Sequence, residues 1–252
     1  ERAIAMGAGL SPKQAKAALQ AMTFEGTHRG DLWRTPFVPA GRDSLVVLTT
    51  AMKNPNLVWV IDNWMKLGGL NMSERGPAFE QFVRDEIGRC ETQLPLAVFP
   101  RSLVLEEDDV REELDLVVRL GKTVLVGETK CSIYPTEPYD LCIYRRLLSA
   151  AADQVSRKAA FVRKNLEQLE RKTGWEGIAA KCHSVVPVVV TNLPLGPGFS
   201  ESEVPVTDLH ILTRYLVEGR LDQLVIAGAH GVEEVKRVVQ FYNSDEEAEE
   251  NL

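Results

Sequence analysis

The sequence predicts an α/β protein: a mixed β-sheet flanked by helices, preceded by a mainly helical N-terminal extension. Three observations predict it. The 252 residues are 44% apolar and 26% charged, the balance of a globular chain that can bury a sizeable core. From Ser73 onward, helix-periodic and strand-periodic stretches alternate. Residues 185–190 form a short apolar run of the kind found in strands covered on both faces. Elements in that order pack as helices over a sheet.

The elements follow in order. Ser11 before Pro12 reads as an N-cap with proline at the first helical position, and Ala15, Ala18, Leu19 and Met22 recur at helical spacing. Residues 24–42, rich in Gly, Pro, Thr and charge, read as irregular connection. A short strand over 45–48 and a helix over 57–67, stopped at Gly68-Gly69, complete an N-terminal region of residues 1–70. Beyond it, Ser73 opens a helix with Phe79, Phe82, Val83 and Ile87 as its apolar stripe. Strands are expected over 94–99, 114–120 and 123–130, then a long helix over 144–172 and a strand over 185–190. Asp208 caps a helix ending at Gly219. A strand over 221–227 and a helix over 232–242 close a domain of residues 71–244, and residues 245–252 form an acidic tail.

Composition narrows the function classes. No apolar run approaches the ~20 residues that span a bilayer, so a membrane-spanning protein is excluded, and no secretory leader pattern follows Arg2. The first residue is Glu1, not methionine, which reads as a piece of a longer protein. Cys90, Cys131, Cys142 and Cys182 form no C-x-x-C pair, which fits a reduced, cytoplasmic setting. Small buried thiols are a better reading of them than a zinc site built with His183. His28, His183, His210 and His230 have no partner at ligand or triad spacing. Gly196-Pro-Gly198 reads as a loop, and the absence of a G-x-x-x-x-G-K-[ST] run disfavours an NTPase. The net charge of −7 argues against a nucleic-acid partner, yet five of the carboxylates lie in the last eight residues. Between Arg145 and Lys172, eight basic residues face only Asp153, Glu167 and Glu170.

The informative stretch is residues 113–130. Gly121-Lys122 suits a two-residue type II′ turn, which puts Asp115 opposite Glu128 and Glu113 opposite Lys130. Strand periodicity sends all four to one face, with Val117 and Val126 beside them. The other face carries Leu114, Leu116, Val118 and Leu120 against Thr123, Leu125, Gly127 and Thr129. Directly opposed carboxylates repel. Something positive between them resolves the conflict, and Mg²⁺, with its oxygen preference, is the leading candidate. Lys130 stands where an amine could orient a water attacking a phosphate. The plainer alternative is a solvated strand face on which Glu113 and Lys130 form a salt bridge.

Asp115 followed, after twelve residues, by Glu128-Thr129-Lys130 resembles the PD-(D/E)XK signature of the restriction-endonuclease-like nucleases. The likeness spans residues 73–190, with Leu114 standing where the motif's name has proline. It implies a restriction-endonuclease-like core whose metal, Mg²⁺ with Mn²⁺ as the alternative, is held by Asp115, Glu128 and the main-chain carbonyl of Thr129. It further implies Glu80 as a metal ligand on the first core helix and Lys130 as the residue that positions the attacking water. Gln154, Arg157 and Lys158 would approach substrate. The activity implied is an endonuclease, on DNA more than RNA. It would be the effector domain of a larger antiviral-defence or repair protein, working as a homo-oligomer or in a larger assembly. The alternative is an inactive nuclease-like fold that binds nucleic acid or organises an assembly.

Overall fold

The computed structural model describes residues 6–26, 31–42, 44–92, 95–196, 200–227, 233–244, 247–248 and 251. His28, His230 and most of the acidic tail (Asp245, Glu246, Glu249 and Glu250) lie outside them. The chain divides into two compact units, residues 1–73 and 74–252.

In the first unit, helix α1 (Pro12–Ala21) starts at a capping box in which Ser11 and Gln14 bond each other's backbone N–H. Strands β1 (Phe37–Pro39) and β2 (Leu45–Val47) form an antiparallel pair with Phe37 opposite Val47. The first of them falls in a stretch expected to be irregular. Its three residues are held only by this pairing and a bridge to Thr23, too little for a periodic signal. Helices α2 (Thr49–Lys53) and α3 (Leu57–Leu67) follow, the latter capped by the Asn56 side chain on the Trp59 N–H.

The second unit opens with α4 (Arg75–Gly88), then β3 (Leu96–Val98), β4 (Leu103–Glu107), β5 (Val110–Leu114), β6 (Leu116–Leu120) and β7 (Thr123–Lys130). Helix α5 (Pro138–Lys164) starts with proline at its first position and a Glu137–Asp140 capping box. Helix α6 (Leu166–Thr173) continues after Asn165, so the single helix expected over 144–172 is two, the first beginning earlier. After α7 (Ile178–Lys181) come β8 (Ser184–Thr191), β9 (Ser200–Glu201), β10 (Val204–Asp208), α8 (Leu209–Glu218), β11 (Arg220–Ala227) and β12 (Glu233–Gln240). Asp208 accepts from the Ile211 N–H, and Gly219 ends α8 in the left-handed conformation.

The main sheet is mixed, in the order β3-β6-β7-β8-β10-β9. Strands β3, β6 and β7 run antiparallel to one another in turn, whereas β8 is parallel to both β7 and β10. One face buries Val117, Val124, Val126, Val185 and Val189 under α5. The other buries Leu116, Val118, Leu120, Leu125, Val188 and Val190 with Val83 and Ile87 of α4 and Leu212 and Leu216 of α8. Covered on both sides, β7 and β8 carry the continuous apolar character that marks such strands.

Three expectations need correction. The helix expected over 232–242 is strand β12, paired with β11 from Arg220↔Gln240 to Ala227↔Glu233. Val235, Val238 and Val239 fit helical spacing, but β-branched side chains favour a strand once an eight-residue partner satisfies the ladder. Residues 103–114 hold an antiparallel hairpin, β4–β5, where only connection and a strand start were expected. Finally, the thiols are not buried: Cys142 is exposed and Cys90, Cys131 and Cys182 are half-buried. In the C-terminal acidic stretch, Ala248 is buried and its carbonyl accepts from the Tyr215 hydroxyl at 2.8 Å. None of the helices is long and apolar enough to cross a membrane, among the described residues.

Candidate active site

The β6–β7 hairpin has the expected register. Leu116 pairs with Gly127 and Leu120 with Thr123, and Gly121 takes the positive φ of 55° that a turn with glycine first demands. Regular pairing stops one residue before the candidate acids. At Asp115 the chain leaves β6 and joins β5, whose partner is β4. Leu114 and Leu116, expected on one face, therefore lie in the two opposite cores. Glu113 lies opposite Val104, not Lys130, and lines a cavity. The break lets helices from both faces of the sheet reach Asp115: α4 through Arg84 and α5 through Lys158.

Of the four charged residues expected on one face, Asp115, Glu128 and Lys130 lie together, and Lys158 of α5 joins them in place of Glu113. Asp115 Oδ2 accepts from the Thr129 N–H at 3.1 Å, which fixes the carboxylate against β7. Its other oxygen accepts from Lys158 Nζ at 3.2 Å, and the same ammonium donates to Glu128 Oε2 at 2.6 Å. Lys130 Nζ donates to Glu128 Oε1 at 2.6 Å and to Gln154 Oε1 at 3.5 Å. The Glu128 and Lys158 side chains are only 2% and 5% exposed, those of Asp115 and Lys130 14% and 23%. This is no solvated strand face.

Electrostatics follow from that burial. Desolvation, then the Glu128 charge, raises the Asp115 pKa above its ordinary value, against the pull of Lys158 and the Thr129 N–H. Glu80 is raised for the same reasons, burial first and then Asp115, which puts it electrostatically next to the pair. Burial alone would lower the Lys158 pKa, but Asp115 and Glu128 outweigh it and leave the ammonium more firmly protonated than a free lysine.

Sequence reasoning missed some neighbours. Arg84, buried on α4, donates to the Asp115 main-chain carbonyl and to Gln81 Oε1, and its Nε has no hydrogen-bond partner among the described residues. Glu112 accepts two hydrogen bonds from the Arg157 guanidinium, at 2.7 and 3.3 Å. Arg84 is legible only as the i+4 partner of Glu80 on one helix; nothing in the pattern marks the strand break it supports. Beside the four charges opens a cavity of about 610 Å³ lined by Glu80, Glu112, Glu113, Gln154 and Arg157, among others.

The residues fit a hard divalent cation. Oxygens of both carboxylates converge on one positive centre, the Lys158 ammonium, and Mg²⁺ favours that oxygen donor type. The Thr129 carbonyl leaves the strand on the same edge as its N–H, toward Asp115. Among the described residues, no three acidic, His or Cys side chains are gathered as a ready ligand set. Two acidic side chains come together, with lysines between and beside them. Compared with protein-family models, curated proteins and solved structures, the chain matches none. The likeness to the restriction-endonuclease-like nucleases thus rests on its motif and element order.

Proposed function

We propose that this chain is a Mg²⁺-dependent nuclease of the PD-(D/E)XK type with a restriction-endonuclease-like core, hydrolysing phosphodiester bonds of DNA in preference to RNA. One observation carries the reading: two opposed carboxylates converge on a single cationic centre at the edge of an open cavity, with Lys130 beside them. Buried opposed acids cost stability, and a structural sheet has no use for them. Asp115, Glu128 and the Thr129 carbonyl would hold the Mg²⁺ or Mn²⁺ ion, with Glu80 of α4 lining the cavity beside them. Bound there, the ion supplies stabilisation of charge developing on the scissile phosphate. Lys130, held between Glu128 and Gln154, orients the attacking water, while Gln154 and Arg157 meet substrate at the cavity wall. Such a domain suits the effector of a larger intracellular defence or repair protein, acting as a homo-oligomer or within an assembly.

A second reading is favoured by one observation. The two lysines neutralise both carboxylates without any ion, as a fold retained only for nucleic-acid binding or assembly would require. Incubating plasmid, linear DNA and RNA with the protein in Mg²⁺, Mn²⁺ or chelator separates the two. Metal-dependent nicking that disappears in Asp115→Ala supports the nuclease. Intact substrate in every lane, with no thermal stabilisation by either ion, supports the module.

A further inference from the structure

The Lys158 ammonium occupies the point on which the two carboxylates converge, bonding Asp115 Oδ1 at 3.2 Å and Glu128 Oε2 at 2.6 Å. Its charge is not needed merely to offset Glu128, because Lys130 already holds the other oxygen of that carboxylate. With both lysines in place the two acids are neutralised; a divalent ion added to that arrangement would put two further positive charges among side chains that are largely buried. Repulsion at that range is severe in a low dielectric. The acids are the fixed partners, since Glu128 sits within the sheet and Asp115 is pinned by the Thr129 N–H and, through its carbonyl, by Arg84. Lys158 is the movable one: its flexible four-carbon stem rises from α5, and the cavity it lines offers the carboxylates of Glu112, Glu113 and Glu80.

We propose that Lys158 is an internal cation that closes the metal site, and that a divalent ion enters by displacing its ammonium into the adjoining cavity. This rests on the metal reading of the site. It changes the part sequence reasoning gave Lys158: in the closed form this lysine cannot touch substrate, and the ion's arrival brings a positive charge to the wall where a phosphate would lie. A closed state that must open taxes apparent affinity by the fraction of molecules that are open.

The test uses the whole chain and reads metal binding, not cleavage. Mn²⁺ and Mg²⁺ are titrated calorimetrically into the wild type, Lys158→Met and, as comparison, Lys130→Met. In parallel, lysine modification by an amine-reactive reagent is followed by mass spectrometry on the unaltered chain with and without Mn²⁺. Tighter binding by Lys158→Met, about tenfold or more, with little gain in Lys130→Met, supports the proposal. So does a several-fold faster modification of Lys158 when Mn²⁺ is bound. Binding by Lys158→Met alone overturns displacement by the ion, because the lysine then closes the site permanently. Equal affinity of wild type and Lys158→Met, or a Lys158 that stays protected in the Mn²⁺-bound protein, overturns the displacement and leaves the metal site standing. No binding by any of the three proteins overturns both. If Lys158→Met does not fold, the modification experiment on the unaltered chain decides.

Discussion

Asp115 and Glu128 carry the same charge, but their surroundings give them opposite roles in stability. Burial and the neighbouring Glu128 raise the Asp115 pKa, so the fold disfavours its charged form. The folded state then holds the Asp115 proton more tightly than the unfolded chain, and this acid's contribution to stability falls as pH rises above about 4. Asp115→Asn, which keeps shape and removes charge, is expected to leave thermal stability at neutral pH unchanged or raised while abolishing cleavage. Glu128 anchors two ammonium groups, one on each oxygen. Glu128→Gln leaves Lys158 with Asp115 and Lys130 with Gln154 as partners, at 3.2 and 3.5 Å, and should cost about 3 kcal/mol, the low end for breaking a buried pair, as well as abolishing cleavage. Denaturant melts of the two variants check the contrast; an equal loss in both would mean the lysines do not discriminate between the acids. Lys130→Ala is a third case. It should leave metal affinity intact and cut turnover by about a hundredfold or more, in the range that positioned proton-handling groups supply.

Among the elements, the β6–β7 hairpin decides where the acids go. Gly127 lies opposite Leu116, and a Cβ there would come within 2.8 Å of Leu116 Cδ2 and 2.9 Å of its Cβ. Neither the strand nor the buried leucine has room to move, so Gly127→Ala should destabilise by about 1–3 kcal/mol, as overpacked cores do. The shift would also disturb the neighbouring Glu128, so metal affinity should fall with stability in the same variant. The hairpin itself was legible: a Gly-Lys turn between alternating apolar runs sets the register, and the register sets Asp115 against Glu128. The break at Asp115 was not. The sequence reads as one strand over 114–120, and only tertiary partners, β4 for residues 110–114 and β3 and β7 for residues 116–120, show that two strands meet there. Glu113 therefore leaves Lys130 for the cavity, and Arg84 enters a site in which periodicity had no place for it. The same limit explains β12, whose valines satisfy both periods until β11 is laid beside them.

For the molecule as a whole, the charge map decides where a nucleic acid would lie if the chain is the nuclease proposed above. The basic segment between Arg145 and Lys172 was legible as a count, but not which of its charges point outward. Lys158 is buried between the acids, Arg163 donates to the Val185 carbonyl, and Arg157 is engaged by Glu112. Arg146 and Lys164 are exposed and stand eighteen residues apart on α5. That is about five helical turns, so the two lie on one side, with Arg157 about three turns from the first. A backbone that follows α5 past the cavity would pass all three. Neutralising Arg146 and Lys164 together should weaken DNA binding uniformly across sequences. It should also flatten the slope of log affinity against log salt by about two units, close to one for each phosphate the protein no longer neutralises. Lys13→Gln with Lys16→Gln, in the other unit, serves as control and should leave the slope unchanged. Fluorescence anisotropy across a salt series measures both. A slope unaltered by loss of Arg146 and Lys164 would take the nucleic acid off α5. Because these residues lie outside the carboxylate site, that result would revise the path of the substrate and leave the roles of Asp115 and Glu128 intact.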